Sequence, residues 1–305
     1  MKKTSFFKHQ KLKNIEWIDG VYSNKNDTKQ FLEKFKFHEL DIEACLEDHQ
    51  NPRIDYYDDY IFITLHFPKY NKNTKRFYFN EMNFFLMDDK IISLRRHNEK
   101  IVDKIFEEYK HKKNFGEDFK ITSAYILYEI LQVMIEKNFK ILEKITFDVR
   151  TFEENVFKSP DISLVKEIMV KKRNVVFLKH MIKPEINVVK MIELKLKKIF
   201  DDDLEVYFED LEDKIQKVFS DTERILEFID ATEDTLKTLV SIKTSHSMWM
   251  LTLLSTFLLP LTLVTSFYGM NVDLPFENNP FIVYFLIFLS GIMTFGFIYK
   301  IRKSV

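Results

Sequence analysis

Two stretches of the chain, Ser247–Val272 and Asn278–Tyr299, contain no Asp, Glu, Lys or Arg. Both are dominated by Leu, Phe, Ile, Val, Thr and Met, and each is about the 20 residues a helix needs to cross a bilayer core. With only a short break between them, they predict a helical hairpin through a membrane. The alternative, two buried helices of a soluble protein, fits poorly because such cores seldom lack charge over this length. Upstream, from about Leu204 to Leu259, the chain has neither Pro nor Gly. Phe208, Leu211, Ile215, Val218, Ile225, Ile229 and Leu236 follow a three-four spacing, with Thr222 and Thr232 in the same stripe. This predicts one helix that continues unbroken into the first span. Some 60 residues at 1.5 Å each reach roughly 90 Å, and such a helix needs neighbours along its length.

Segments 118–157 and 161–198 also have helical spacing, and Ser159–Pro160–Asp161 separates them. Pro184 should kink or interrupt the second. The first third reads differently. Tyr60–Phe67, Phe77–Phe79, Asn83–Met87 and Ile91–Arg95 are short, aromatic and β-branched, and turn-formers bound them, so they predict strands. Glu39–Asp48 has the spacing of a helix. Residues 1–112 are therefore expected to form a mixed α/β domain, 113–247 a helical region with a stalk from about 204, and 248–305 a two-helix membrane domain with a loop at 271–279.

Charge sets the orientation. Lys300, Arg302 and Lys303 follow the second span, while Asn271–Asn279 holds Asp273 and Glu277 and no base. The positive-inside bias then puts both termini in the cytoplasm and the loop outside, with the inner (plasma) membrane as the location. Met1–Lys13 is basic without an apolar run and does not read as a signal peptide. The single Cys, Cys45, rules out an intrachain disulfide framework and reads as a buried helix residue. Gly20 and Gly116 are the only glycines before the spans, too few for a phosphate-cradling loop. A net charge of −1 with interspersed signs suggests no nucleic-acid partner. The eight His show no metal-ligand spacing, and no nucleophile–base pair is evident, so an enzyme is the least favoured class.

In the first span Met248, Leu251, Ser255, Leu258 or Leu259, Thr262, Ser266 and Gly269 recur every three or four residues and share one face. Ser, Thr and Gly on one face suit close helix packing. They also suit a pore lining that alternates apolar constrictions with weak oxygen ligands. The spans hold no acid. Mg2+ gives up its water reluctantly, so a lining of amides, hydroxyls and carbonyls suits an ion that keeps most of its waters.

The first span ends Tyr268–Gly269–Met270–Asn271. This GMN tripeptide follows a Pro-containing span and precedes a short acidic loop and a second, C-terminal span. In that placement it resembles the CorA family of magnesium and cobalt channels. Pro260–Leu261–Thr262 in mid-span, Asp41–Leu46 with Gln50–Tyr60, and Tyr207–Asp210 extend the resemblance over nearly the whole chain. The resemblance implies a homopentamer in the lipid bilayer, with an α/β cytoplasmic domain and stalk helices around a central pore. Asn271 would supply a ring of amide oxygens that receives hydrated Mg2+, beside Gly269 and Met270, with Thr262, Ser266 and Ser255 below. Met248, Leu251 and Leu259 would form the hydrophobic gate. Asp273 and Glu277 would concentrate cations at the mouth, unless they only solvate the loop. Two departures stand out. An MPE-like segment is replaced by Leu274–Pro275–Phe276–Glu277, and the early acid that pairs across subunits with the position of Asp210 to bind regulatory Mg2+ is here Asn71.

These features point to voltage-driven uptake of Mg2+, and of Co2+ or Ni2+, gated by internal Mg2+. A Zn2+ transporter of the same superfamily is the nearest rival, and the retained GMN favours Mg2+. A membrane-anchored scaffold or sensor is less consistent with aligned hydroxyls and amides.

Overall fold

The computed structural model describes residues 7–12, 14–22, 24–47, 50–111, 121–199, 204–271 and 280–304. They fall into two compact units: residues 1–157 with 163–233, and residues 158–162 with 234–305.

The first unit is built on a six-stranded sheet. Its strands are β1 (Phe7–Leu12), β2 (Ile15–Val21), β3 (Arg53–Tyr56), β4 (Ile61–Asn71), β5 (Arg76–Leu86) and β6 (Lys90–Arg95), in the order β1-β2-β6-β5-β4-β3. Only β2 and β6 run parallel, with Trp17 opposite Ile91 and Gly20 opposite Leu94. Helices α1 (Lys25–Leu32) and α2 (Glu39–Leu46) lie between β2 and β3 in the chain. Side chains alternate across a strand, and β2 shows the result. Ile18 joins Leu32, Ile42, Cys45, Phe62 and Phe85 in one core. Its neighbour Trp17 packs edge-on against Phe106 and Tyr109 of α3 (Lys100–His111), at 4.9 and 5.7 Å. The sheet is thus covered on both faces, which is why eight consecutive residues of β4, Ile61–Pro68, are buried without alternation.

Several polar side chains inside this core form one paired network. Asp19 of β2 and Arg95 of β6 form a fully buried ion pair. Ser93 donates to Asp19 at 2.7 Å, and Trp17 Nε1 donates to Ser93 at 3.0 Å. Arg95 also donates to Asp103 of α3 at 3.1 Å and to the Glu99 carbonyl at 2.8 Å. Burial pushes the Asp19 carboxyl up, against the pull of Arg95. Opposite Asp19, Gly20 leaves room for Phe7, whose ring a Cβ there would meet at 2.5 Å.

Helices α4 (Ser123–Lys158) and α5 (Ser163–Ile199) follow, and then α6 (Glu205–Tyr268). Lys172 reaches Asp230 and Glu233 at 2.9 Å, Lys179 reaches Glu223 at 2.8 Å, and Lys190 reaches Glu212 at 3.8 Å. Rising numbers on α5 meet falling ones on α6, so the two run antiparallel. Exposed pairs of this kind contribute about 0–1 kcal/mol each and set register more than stability. Pro184 does not interrupt α5. Buried Met181 and Ile182 before it and Val188 and Val189 after it hold both halves of the helix in the core. Next to it Glu185 accepts a hydrogen bond from the backbone N–H of His66 at 2.8 Å. That N–H belongs to β4 beyond the reach of β3, whose pairing ends at Thr64. Glu185 therefore does for this strand edge what a longer β3 would do, and the packing outweighs the loss at proline.

The second unit contains the rest of α6 and α7 (Pro280–Ser304). Both helices are long and apolar enough to cross a membrane, and none of the most apolar 18-residue window of α6 is buried. At the start of this unit Lys243 donates to the Pro160 carbonyl at 3.1 Å. The expected α/β domain, long helix and two terminal spans are all present.

Candidate functional site

Along the apolar part of α6, two faces differ in exposure. Leu253, Thr256, Pro260, Leu261, Val264 and Tyr268 are partly sheltered. Met248, Leu251, Ser255, Leu259, Thr262, Ser266 and Gly269 are exposed, with Met248 and Leu251 at 65% and Leu259 at 67%. At 3.6 residues per turn these seven fall within about 80° of arc, roughly opposite the sheltered set, while Leu254, Phe257, Leu258 and Leu263 on other faces are exposed as well. Helix α7 has a matching sheltered stripe in Ile282, Val283, Leu286, Ile287, Ser290 and Thr294. The hydroxyl and Gly face of α6 is thus distinct from the sheltered faces of this hairpin.

Backbone chemistry shapes this face. Thr262 Oγ1 donates to the carbonyls of Leu258 and Leu259, at 3.0 and 2.8 Å. It bonds there beside Pro260, which has no N–H of its own to give. The helix ends at Tyr268. The Gly269 N–H still reaches the Thr265 carbonyl at 3.0 Å, and a Cβ at 269 would stand 3.1 Å from that oxygen. Met270 and Asn271 are exposed beyond the helix end. Asp273 and Glu277 lie outside the described residues. At the other end of the span His246 and Trp249 face each other at 6.2 Å, with Trp249 45% exposed. A half-exposed Trp at a helix's entry to an apolar stretch suits a membrane–water interface.

Asn71 and Asp210 have separate partners within the protomer. Asn71 ends β4, and its Oδ1 accepts from the backbone N–H groups of Asn73 and Thr74, at 2.9 and 3.3 Å, closing the β4–β5 turn. Asp210 stands in the second turn of α6 and pairs with Lys214 at 2.5 Å. That carboxylate pushes the Lys214 ammonium up. Their i,i+4 acid–base spacing is one that pairs on a helix surface. Among the described residues no group of three or more His, Cys, Asp or Glu could hold a metal ion within one chain.

A sheet covered on both faces, a 64-residue helix running on into an apolar segment, and a second apolar helix at the C-terminal end define a membrane-embedded protein with two candidate spans and a large soluble portion. The chain belongs to the family described as CorA-like Mg2+ transporter protein, which matches residues 13–303. It is a divalent metal ion transporter of that family. The cobalt/magnesium transport protein CorA of Thermotoga maritima is 26% identical over 258 residues, covering 84% of this chain and 73% of that protein. The complete CorA magnesium transporter of Methanocaldococcus jannaschii has the same fold, with a TM-score of 0.80 and 19% identity over 96% of this chain and 91% of that one. The cytoplasmic domain of ZntB from Vibrio parahaemolyticus shares the fold of the soluble portion, with a TM-score of 0.61 and 15% identity over 74% of this chain and 88% of that domain.

Proposed function

We propose that this chain assembles as a homopentameric channel through which Mg2+, and with it Co2+ or Ni2+, enters the cytoplasm down the membrane voltage. The observation that carries this reading is the face of α6 that bears hydroxyls and glycine. It leads from Met248 and Leu251 past Ser255, Leu259, Thr262 and Ser266 to Gly269–Met270–Asn271, opposite the sheltered stripe. A single hairpin cannot enclose a pore, so that face has a use only when several copies turn it toward a common axis. Asn271 is then the first residue to meet the ion, with Gly269 and Met270 beside it. Met248, Leu251 and Leu259 form apolar constrictions that close by dewetting. Asp273 and Glu277 raise the cation concentration at the mouth. Both termini lie in the cytoplasm.

The driving force needs no coupling site. Two charges crossing about 100 mV release roughly 4.6 kcal/mol, or about three decades of accumulation. Regulation by internal Mg2+ is assigned to Asp210 of one subunit and Asn71 of the next. Both groups are already engaged within the protomer, Asp210 by Lys214 and Asn71 by its own turn. Mg2+ has to compete for them, which makes this a weak sensor.

The test is uptake into proteoliposomes under an imposed potential, read with an internal Mg2+ indicator. Uptake should rise steeply as the interior is made negative, and native mass spectrometry should show a pentamer. Voltage-independent uptake, or a dimer as the active species, would overturn the reading. The ZntB fold likeness supports Zn2+ transport as a second reading; Zn2+ uptake exceeding Mg2+ uptake in the same vesicles would favour it.

A further inference from the structure

The first unit holds a cavity of about 990 Å³ between the tip of the β4–β5 hairpin, the middle of α4 and the first turns of α5. Six lysines line it: Lys69, Lys75, Lys137, Lys144, Lys166 and Lys171, against two acids, Asp148 and Glu167. Part of this charge is already used. Lys137 and Lys69 share Glu99, at 3.1 and 3.7 Å, and Lys171 pairs with Glu167 at 3.4 Å. Among the described residues Lys75, Lys144 and Lys166 have no carboxylate partner. Lysines from three different elements therefore line one space in excess over its acids, Asp148 and the already paired Glu167.

Lys75 adds a second observation. Its backbone is left-handed, with φ 52°, a conformation that favours glycine and is uncommon for lysine. Arg173 and Asn174 of α5 hold it there by donating to its carbonyl, at 3.2 and 3.0 Å. The turn held in this way fixes Lys75 at the rim of the cavity. The cavity also has apolar walls. Ile141, Ile145 and Val170 contribute to them, and Tyr70 and Phe77 form a tilted ring pair at 5.0 Å. The N-terminus of α5 opens at Ser163 on the same space and adds positive helix-dipole potential. Its size is at the upper end of small-molecule sites, about 300–1,000 Å³.

We propose that this cavity binds a nucleoside triphosphate, with the phosphates on Lys75, Lys144 and Lys166 and the base against the Tyr70–Phe77 wall. Lysine serves phosphate as a point charge, and a flat base has an aromatic face to lie on. A bare polyphosphate would leave that wall unused, and a neutral nucleoside would leave the ammonium groups unpaired.

The experiment is a calorimetric titration of the full chain in detergent with ATP, inorganic triphosphate and adenosine. It is run without divalent cation, because Mg2+ on the phosphates cancels two of their charges. ATP should bind saturably and more tightly than either fragment. A K144E/K166E variant should bind ATP at least tenfold more weakly, a change of about 1.4 kcal/mol. Both side chains are exposed, so folding should survive, and unchanged circular dichroism would show it. A K29E/K104E variant carries the same charge change on exposed lysines outside the cavity and should bind as the parent does. No saturable ATP binding, equal affinity for triphosphate, or equal losses in the two variants would each overturn the proposal.

Discussion

Glu185 gives a prediction whose sign follows from its surroundings. The carboxyl is 2% exposed and receives one backbone N–H, that of His66, at 2.8 Å. Burial pushes it well above the usual carboxylate range, against the smaller lowering by that hydrogen bond. A carboxyl whose folded pKa is raised binds its proton more tightly in the folded chain than in the unfolded one. Folding stability is therefore full below the unfolded value, about 4.3, and falls as pH climbs from there toward the folded value. Glu185→Gln keeps an oxygen to accept from His66 and removes the titration. At pH 5 the variant should match the parent or fall slightly below it. At pH 8 it should be more stable, by about 1–3 kcal/mol, the desolvation of a buried group with incomplete compensation. Near 2–4 °C per kcal/mol for chains of this order, that is an upward shift of about 2–12 °C. The assay is thermal unfolding in detergent followed by tryptophan fluorescence, which reads Trp17 in the sheet core, at pH 5 and pH 8. A variant destabilised at both values, or a difference that does not grow with pH, would refute the assignment of a carboxyl raised by burial.

Three further outcomes bear on transport. Asn271→Ala should reach the membrane and assemble, yet take up Mg2+ at least roughly tenfold more slowly, since each subunit loses an oxygen contact of about 0.5–1.5 kcal/mol; parental uptake would remove Asn271 from the selectivity site. Leu251→Asn should hydrate the inner constriction and leave the channel leaking at high internal Mg2+, read as dye influx that no longer declines; closure as tight as the parent's would place the gate elsewhere. Lys214→Ala should free Asp210 and move Mg2+-dependent protection from proteolysis to roughly two- to fivefold lower Mg2+, the worth of an exposed pair; an unmoved midpoint would mean that Asp210 does not take part in sensing.

The elements legible in the sequence are those whose stabilisation is local or periodic. The spans, the long α6, the α4–α5 pair and α2 announce themselves by spacing. β1, β2 and β3 do not. β1 is polar and largely exposed at the sheet edge. β2 carries Asp19 in a buried position, where alternation expects an apolar side chain, and its partners lie more than 70 residues away in Ser93 and Arg95. β5 reads as two short strands because Asn80 and Glu81 break its apolar run. Asn80 is held by the backbone of His97, and Glu81 by Asn83 and the N–H of Gln50. The same distinction runs through the candidate sites. The stripe of α6 is a property of one helix and can be counted off the chain. The lysine cavity draws on a hairpin and two helices, and no window of sequence contains it.

The hydroxyls of α6 also say what kind of ion the proposed pore would accept. Thr222, Thr232, Thr252, Thr262 and Thr265 each give their proton to a backbone carbonyl of the preceding turn, at 2.7–3.1 Å. A threonine has one proton to give, and with it engaged the oxygen offers only lone pairs. Thr262 on the exposed face therefore presents an acceptor and no donor. Hydrated Mg2+ shows its surroundings the outward hydrogens of its waters, which are donors. A wall of acceptors matches that shell, and it does so without negative charge. A ring of carboxylates in the same place would hold a divalent ion too tightly to release it, while conduction needs sites weak enough to leave. In such a pore the absence of acids from Ser247 to Val272 would serve throughput as well as the bilayer. In the proposed pore, selectivity would then rest on the size of the hydrated ion and on the oxygens it meets first at Asn271.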